Sequence, residues 1–358
     1  MRDKKNNNID NEEREFNDMF TDLKENKLKK TVRKAKWKSI FRTTIISMIV
    51  VIILGVSANL IARNITQRQR GDIQIARDRF FEIARPNKYI GKRKIYDGSS
   101  FGGKTIYTTY KLINGKVVFT GEESYTYGPR YGLHTDIMGT SSPMILAQAW
   151  DEEDAKEVRY NELGQRRMVF YYPYISYRYY RNDLSLLEDI DQDKYVEIAL
   201  SFDKAYGFDE MENILPKDVI TTWYWIDDLN DEEKEEKKEE ERIRTNENEE
   251  EETYINPAKV CSEARAYGIK LFDRDGDKIQ DPIDRFVSSL ERGLDDDTFY
   301  KDEFTRVFEN IAGEDKEIQR KDIKIQGAVV TGTAEELKKL RNLPFIRAST
   351  LGIVTDKY

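Results

Sequence analysis

The side chains that most often carry catalysis are scarce in this chain. It has one histidine, His134, and one cysteine, Cys261. Because zinc takes three or four protein ligands, a zinc site built from Cys and His alone is excluded. A single cysteine also cannot form an intramolecular disulfide. His134 lies in a stretch rich in Gly and Thr, where we expect a surface residue rather than a general base.

An acidic run, Asp273, Asp275 and Asp277, offers the carboxylate oxygens that Ca²⁺ binds. Its spacing does not match a calcium loop, because Gly276 stands at the fourth position instead of the sixth and no glutamate stands at the twelfth. An Asp-Gly hairpin turn accounts for these residues. Paired carboxylates for glycoside hydrolysis cannot be singled out in so acidic a chain. We therefore predict no catalytic residues, no cofactor and no metal site, and a protein that is not an enzyme.

The strongest pattern is the uncharged stretch of residues 43–62, TTIISMIVVIILGVSANLIA. At about 1.5 Å per residue, a helix of this length matches a hydrocarbon core about 30 Å thick. The stretch is longer than the apolar part of a cleaved signal peptide, and it is followed by Arg63-Asn64-Ile65 instead of a small-x-small cleavage site. The sequence predicts a single uncleaved transmembrane helix, with a buried core helix as the alternative.

Basic residues around the span predict its direction. Nine Lys/Arg lie between residues 24 and 42, and five lie between residues 63 and 79. Because the more basic side stays in the cytoplasm, residues 1–42 are predicted to be cytoplasmic and the C-terminal region extracytoplasmic. Residues 1–42 carry 13 Lys/Arg and 8 Asp/Glu, a net charge of +5, which leaves −13 for the rest of the chain. Such an acidic region argues against direct nucleic-acid binding.

The cytoplasmic segment is predicted to be helical, because residues 12–42 contain neither Pro nor Gly. An apolar stripe at helical spacing lies among acidic residues, and we predict that it contacts a protein partner. Its members are Phe16, Met19, Phe20 and Leu23. A basic and aromatic set beside the span is predicted to hold the helix at the anionic membrane surface. This set comprises Lys34, Lys36, Trp37, Lys38, Phe41 and Arg42.

The outer region has the patterns of an α+β fold. Asn114-Gly115 lies between two strand-like stretches and predicts a β-hairpin, whereas residues 121–142 are predicted to form a loop. Two strand–helix–strand patterns follow, in residues 195–226 and 323–354. They predict an antiparallel or mixed sheet with βαβ-type units in a ferredoxin-like arrangement.

Three further segments have distinctive composition. Residues 228–252 are strongly acidic and are predicted to form a solvated insertion, helical or disordered. Residues 170–180 are rich in tyrosine, which favours aromatic packing over a carbohydrate-binding surface. Residues 182–184, Asn-Asp-Leu, are predicted to open a helix.

Several strand and turn segments occur in an order that matches a known family. They are residues 172–173, 180–187, 197–204, 223–227, 327–333, 336–337 and 343–346, preceded by the span and residues 80–83 and 86–90. These segments resemble those of the sigma factor regulator family of Gram-positive bacteria, whose members are membrane-anchored anti-sigma factors. The main similarity covers residues 168–358.

The resemblance implies that the cytoplasmic segment holds an extracytoplasmic-function sigma factor away from RNA polymerase. It also implies that the outer domain responds to envelope signals, with a co-regulatory membrane protein as a further candidate partner. A rival hypothesis is a membrane-tethered envelope protein that binds cell-wall polymer or another surface protein, and an enzyme is the third.

The predicted regions follow from the span and the resemblance. They are a cytoplasmic segment (1–42), a transmembrane helix (43–62), a stalk helix with a β-rich region (63–165) and an α+β domain that carries the acidic insertion (166–358).

Overall fold

The computed structural model describes residues 3–131, 138–139, 144–145, 158–245, 251–296, 298–313 and 316–358. The chain falls into two units, residues 1–62 and residues 63–358. Helix α1 (Asp3–Ile83) supplies the described part of the first unit and opens the second. The other helices are α2 (Phe208–Ile214), α3 (Asp231–Glu235), α4 (Pro282–Leu294), α5 (Lys301–Ala312) and α6 (Ala334–Leu337), with 3₁₀ turns at Asp183–Glu188, Arg320–Asp322 and Lys338–Leu340.

The described strands all belong to the second unit and form a five-stranded sheet, a four-stranded sheet and three two-stranded sheets. They are β1 (Lys88–Ser99), β2 (Gly102–Ile113), β3 (Lys116–Tyr127), β4 (Met138–Gly139), β5 (Met144–Ile145), β6 (Arg159–Tyr160), β7 (Val169–Phe170), β8 (Tyr195–Gly207), β9 (Ile220–Ile226), β10 (Glu240–Thr245), β11 (Glu251–Asn256), β12 (Cys261–Ser262), β13 (Gly268–Lys270), β14 (Lys324–Thr333) and β15 (Ile346–Thr355).

The five-stranded sheet has the order β13-β9-β14-β8-β15, and every pair of neighbours is antiparallel. Strands β8 and β9 are joined through α2 and lie on either side of β14, while β14 and β15 are joined through α6 and lie on either side of β8. These two interleaved βαβ units are the split βαβ arrangement of ferredoxin-like folds, with β13 added at one edge. The α+β prediction is confirmed.

The central strands are buried on both faces. Val196, Ile198 and Leu200 of β8 belong to the main hydrophobic core, and Ala199 points to a second core on the other face because side chains alternate along a strand. The second core is built around Trp223 of β9 and its neighbours on the same face, which are Phe170, Trp225 and Val329.

Strands β1 to β4 form an antiparallel meander whose β2–β3 turn is the predicted hairpin. Asn114 and Gly115 both have positive φ, 50° and 80°, as a type I′ turn requires. The loop predicted for residues 121–142 is wrong at its start, because β3 continues to Tyr127. Tyr125 and Tyr127, two residues apart, bury their rings on one face of the strand, and this burial extends the pairing.

The acidic insertion is more ordered than predicted. Residues 231–235 form α3, and residues 240–256 contain the β10–β11 hairpin. Asn230 caps α3 in a capping box with Glu233. Arg306 of α5 contacts Glu233 and the buried Asp228, and these ion pairs attach the start of the insertion to the core. The helix predicted at residue 182 is a 3₁₀ turn.

Two helical glycines differ in the space around them, and they predict opposite effects of the same substitution. A Cβ on Gly71 of α1 would meet nothing within 4 Å, whereas one on Gly293 of α4 would lie 2.3 Å from Cγ of Phe304. We expect Gly71→Ala to stabilise the chain by roughly 0.5–1 kcal/mol through helix propensity. Gly293→Ala will destabilise it by about 1–3 kcal/mol through overpacking of α4 on α5. Unfolding of both variants checks this, and equal shifts would contradict the close packing at Gly293.

Candidate functional site

The predicted contact stripe lies on α1, in its N-terminal part. The backbone is helical there, so residues three and four apart share a face. The side chains of the stripe, Phe16, Met19, Phe20 and Leu23, lie outside the described residues. Their contact with a partner stays a prediction.

The predicted membrane-surface residues are all exposed on α1. They are Lys34, Lys36, Trp37, Lys38, Phe41 and Arg42. Trp37 and Phe41 are one turn apart and each exposes about two thirds of its surface, 65% and 68%. Lys34 and Lys38 are also one turn apart, so much of the set can face one surface.

The span is exposed from residue 43 to residue 61, and its last residue, Ala62, is buried. Val51 and Leu54 are more than 60% exposed, and this is the helix of the described chain that is long and apolar enough to cross a membrane. An apolar surface of this extent requires an apolar environment, and lipid supplies one to a helix whose backbone groups are internally bonded. Among the described residues the span does not pack in a core, unlike the buried-helix alternative, and α1 is the candidate for a single membrane anchor.

The last turns of α1 are part of the folded core of the second unit. Ala76, Phe81 and Ile83 are buried there. The ring of Phe80 stacks on Tyr300 with centroids 4.6 Å apart. Residues 73–83 therefore pack as the first helix of this unit.

A buried ionic cluster joins α1 to the meander. Arg77 is 2% exposed and donates to Oε2 of Glu123 at 2.9 Å, while Lys88 donates to Oε1 at 2.8 Å. The hydroxyl of Tyr107 also donates to Glu123, at 2.6 Å, and its ring lies 4.5 Å from the Arg77 guanidinium, within cation–π range. Burial alone would raise the pKa of Glu123, but the nearby cations, led by Lys88, lower it to about 2.

The low pKa of Glu123 predicts how this cluster responds to acid. Since the folded-state pKa lies below the ordinary 4.5, its stabilising effect is complete above pH 4.5 and is lost as the pH falls through about 2. Glu123→Gln leaves two buried cations without their anion, and we expect it to cost about 3–5 kcal/mol at pH 7. The difference from the unaltered chain should shrink between pH 4.5 and pH 2 in unfolding measurements. A pH-independent difference would contradict the assignment, and Glu162→Gln, at an exposed glutamate, is the control.

A second buried cluster joins the meander to the central sheet. Lys111 of β2 donates to Glu197 of β8 at 2.9 Å and to Glu263 at 3.1 Å. Asn87 donates to the other oxygen of Glu197 at 3.0 Å and to the carbonyl of Leu112 at 2.9 Å. Burial alone would lower the pKa of Lys111, but the two carboxylates raise it. The ammonium therefore stays charged inside the protein.

Ion pairs and a hydrogen bond near the surface also attach α1 to its neighbours. Glu82 accepts two hydrogen bonds from Arg285 of α4, at 2.8 and 2.9 Å. Arg79 donates to the carbonyl of Arg292 at 3.0 Å, and Arg70 pairs with Asp97 of β1 at 3.1 Å. Helix α1 is thus held from two sides, by the meander and by α4. A displacement of this part of the helix must change contacts in the core.

Residues 98–105, GSSFGGKT, satisfy two catalytic patterns. They fit the phosphate-loop pattern and the G-x-S-x-G pattern of a serine nucleophile. Both motifs need a strand that turns into a helix, whereas these residues form the tip of the β1–β2 hairpin, with Lys104 exposed on β2. The structural context required for either chemistry is missing.

The other sequence candidates are structural. The Oδ1 atom of Asp273 accepts the backbone N–H groups of Asp275 and Asp277 at 2.9 Å each, and this confirms the predicted turn. Tyr172 packs on Trp225 at 5.1 Å, as the aromatic-packing hypothesis predicts. Within the described residues, no group of three His, Cys, Asp or Glu side chains could hold a metal ion. His134 lies outside those residues.

Sequence reasoning missed both buried ionic clusters. The available signal was a single charged residue inside an apolar strand, as at Lys111 in TTYKLI and Glu197 in YVEIALSF. Such a residue marks a buried pair only once its partner is known.

Two family models match the chain. The sigma factor regulator N-terminal model matches residues 29–118, and the sigma factor regulator C-terminal model matches residues 187–353. The first range includes the span together with Arg77 and Lys111, and the second includes the five-stranded sheet except the last two residues of β15. Together they cover more than two thirds of the sequence. No curated protein and no solved structure matched the chain.

Proposed function

The chain belongs to the sigma factor regulator family, and from this premise we propose that it sequesters an extracytoplasmic-function sigma factor through residues 1–42. Family membership indicates an anti-sigma role and a regulatory rather than an enzymatic activity. The proposal adds the class of sigma factor, the segment that binds it and the response to envelope signals.

The observation that supports the proposal most is the single span between two unlike parts. On one side lies a short segment with a net charge of +5, and on the other a large unit with its own core. The excess of basic residues before the span favours a cytoplasmic N-terminus. A sigma factor works in the cytoplasm, so this orientation places the proposed contact stripe beside its partner and the folded unit outside.

The proposed mechanism is sequestration. The stripe of Phe16, Met19, Phe20 and Leu23 would bury its apolar surface in a groove of the sigma factor, while the basic set near Trp37 holds the helix at the membrane. Bound sigma factor is withdrawn from RNA polymerase by mass action. Release needs a lower affinity, and a ligand can lower it only by binding two states of the protein differently.

The attachment of α1 to the outer core offers a route for such a signal. Arg77 and Glu82 lie on the same helix as the span, and both pair with residues of the core. A ligand or a co-regulatory membrane protein that shifts these contacts would act on α1 directly. The four predicted regions, with boundaries at residues 42, 62 and 165, remain part of this proposal.

Purification of the full chain from its native membranes tests the proposal. We expect an extracytoplasmic-function sigma factor to copurify, and we expect a protease added to intact cells with permeable walls to digest the C-terminal unit while an N-terminal tag survives. Recovery of wall polymer or a surface protein without a sigma factor would support the envelope-binding alternative. Digestion of the N-terminal tag would reverse the proposed orientation.

A further inference from the structure

The tip of the β1–β2 hairpin exposes aromatic side chains. Phe101 at the tip and Tyr131 beside it are 45% and 41% exposed. They are neighbours, because the backbone N–H of Arg130 donates to the carbonyl of Phe101 at 2.9 Å and the ring of Tyr131 packs against Gly102. Tyr96, on β1 near the tip, is also exposed. These three rings are exposed at the same end of the β1–β2 hairpin of the second unit.

Hydrogen bonds hold this tip against the start of the second unit. The hydroxyl of Thr66 donates to the carbonyl of Ser100 at 2.8 Å, and Gln69 accepts the N–H of Gly128 at 2.8 Å. Thr66 follows Ala62, the last residue of the span, by four positions. Four residues reach about 6 Å in a helix and at most about 14 Å when extended. The headgroup layer on each side of a bilayer is about 5–7 Å deep, so the tip is confined near the membrane surface.

The charges around the tip suit a phosphate-rich surface. Arg63, Lys104 and Arg130 are exposed there. The nearby acid, Asp97, is occupied by Arg70 and by the hydroxyl of Tyr127, at 3.1 and 2.9 Å. Basic residues near a bilayer attract anionic lipids, and tyrosine rings favour the interface because they combine an apolar body with a polar end.

We propose that the surface formed by Phe101, Tyr131 and Tyr96 docks into the lipid headgroup layer on the side of the membrane that holds the folded unit. The occupant is the bilayer that the chain itself spans. The inference rests on the membrane anchor and not on sigma-factor binding, so it can fail while the proposed function stands. Docking gives the outer unit a second attachment to the membrane, about 40 residues along the chain from the first.

Spin labels on the full chain test the docking. The chain's one cysteine is buried, so a nitroxide attaches selectively to an introduced cysteine. Phe101→Cys and Tyr131→Cys report on the tip. Val117→Cys is the matched control, because Val117 is an exposed apolar residue on β3, paired with Leu112 at the far end of β2, about 35 Å away at strand spacing. The chain is reconstituted in nanodiscs of phosphatidylethanolamine and phosphatidylglycerol.

In these discs, we expect collisions with a water-soluble nickel chelate to be several-fold rarer at positions 101 and 131 than at 117, and collisions with oxygen to be more frequent. Equal accessibility at the tip and at position 117 would overturn the proposal. Spin–spin broadening at position 101 would also overturn it, since a second copy of the chain would then cover the tip. Unchanged thermal unfolding of each labelled variant establishes that the comparison is made on folded protein.

Discussion

Replacing Phe16 and Phe20 together by serine will release the sigma factor and raise transcription of its target genes. The two residues are one turn apart on α1, and this spacing allows both to enter one groove. Truncation of a buried aromatic anchor commonly costs 2 kcal/mol or more, and each 1.4 kcal/mol is a factor of ten in affinity. The double variant should therefore bind at least about a hundredfold more weakly.

The matched control is Leu28→Ser with Val32→Ser. These residues are also one turn apart on α1, and both are exposed, but they lie outside the predicted stripe. We expect the control to retain the sigma factor. Reporter transcription and the amount of chain in the membrane should be measured in the same cells, so that loss of protein is not mistaken for loss of binding.

The opposite outcome is equally informative. Residue 32 lies inside the range matched by the N-terminal family model, whereas Phe16 and Phe20 precede it. If the Leu28 and Val32 variant releases the sigma factor and the phenylalanine variant does not, the contact lies in the basic segment next to the membrane. The stripe would then be wrong, although the anti-sigma role would stand.

The features that sequence predicts well here depend on residues close together in the chain. The span is readable because each apolar residue of 43–62 contributes to the same signal. Asn114-Gly115 sets its turn through its own backbone. The ferredoxin-like strand order could be predicted because the residues of each βαβ unit are continuous in the chain. The start of α6 could also be predicted, because Thr333 forms a capping box with Glu336.

The features that sequence misses depend on partners far away in the chain. Lys111 and Glu197 are separated by 86 positions, and Arg77 and Glu123 by 46. The local sequence TTYKLI does not indicate that Lys111 pairs with a carboxylate of another sheet. Likewise, the order in the acidic insertion depends on Arg306 of α5, which contacts Asp228 across 78 positions. From composition alone, we can predict that such a segment is exposed to solvent, but not which of its residues are held by contacts with the core.

Lys111→Met will be among the most destabilising single substitutions in the outer unit. It leaves Glu197, which is fully buried, without the ammonium at 2.9 Å. Removing one partner of a buried ion pair costs about 3–5 kcal/mol, and in a unit of this size that corresponds to a fall in Tm of roughly 10 °C. Thermal unfolding of the purified chain in detergent measures the change.

Two further variants distinguish a lost charge pair from general damage. Arg178→Met removes a cation whose pair with Glu239 is exposed, and the Tm should stay close to that of the unaltered chain because solvent screens such a pair. Adding Glu197→Gln to Lys111→Met removes the fully buried charge, leaving only the partly exposed Glu263 without the lysine, while Asn87 can still donate to the new amide oxygen. We expect this double variant to regain a large part of the stability, because an uncharged pair in the same space avoids the desolvation penalty.

The double variant also separates stability from signalling. If the Lys111–Glu197 pair only stabilises the sheet, the restored chain should hold the sigma factor as the unaltered chain does. If the cluster carries a signal from the outer unit to α1, sequestration should stay altered although the Tm has recovered, because Asn87 and Lys88 connect this cluster to the Glu123 cluster and to Arg77. A double variant as unstable as Lys111→Met would contradict the ionic account itself, since packing of the lysine stem would then be what the sheet requires.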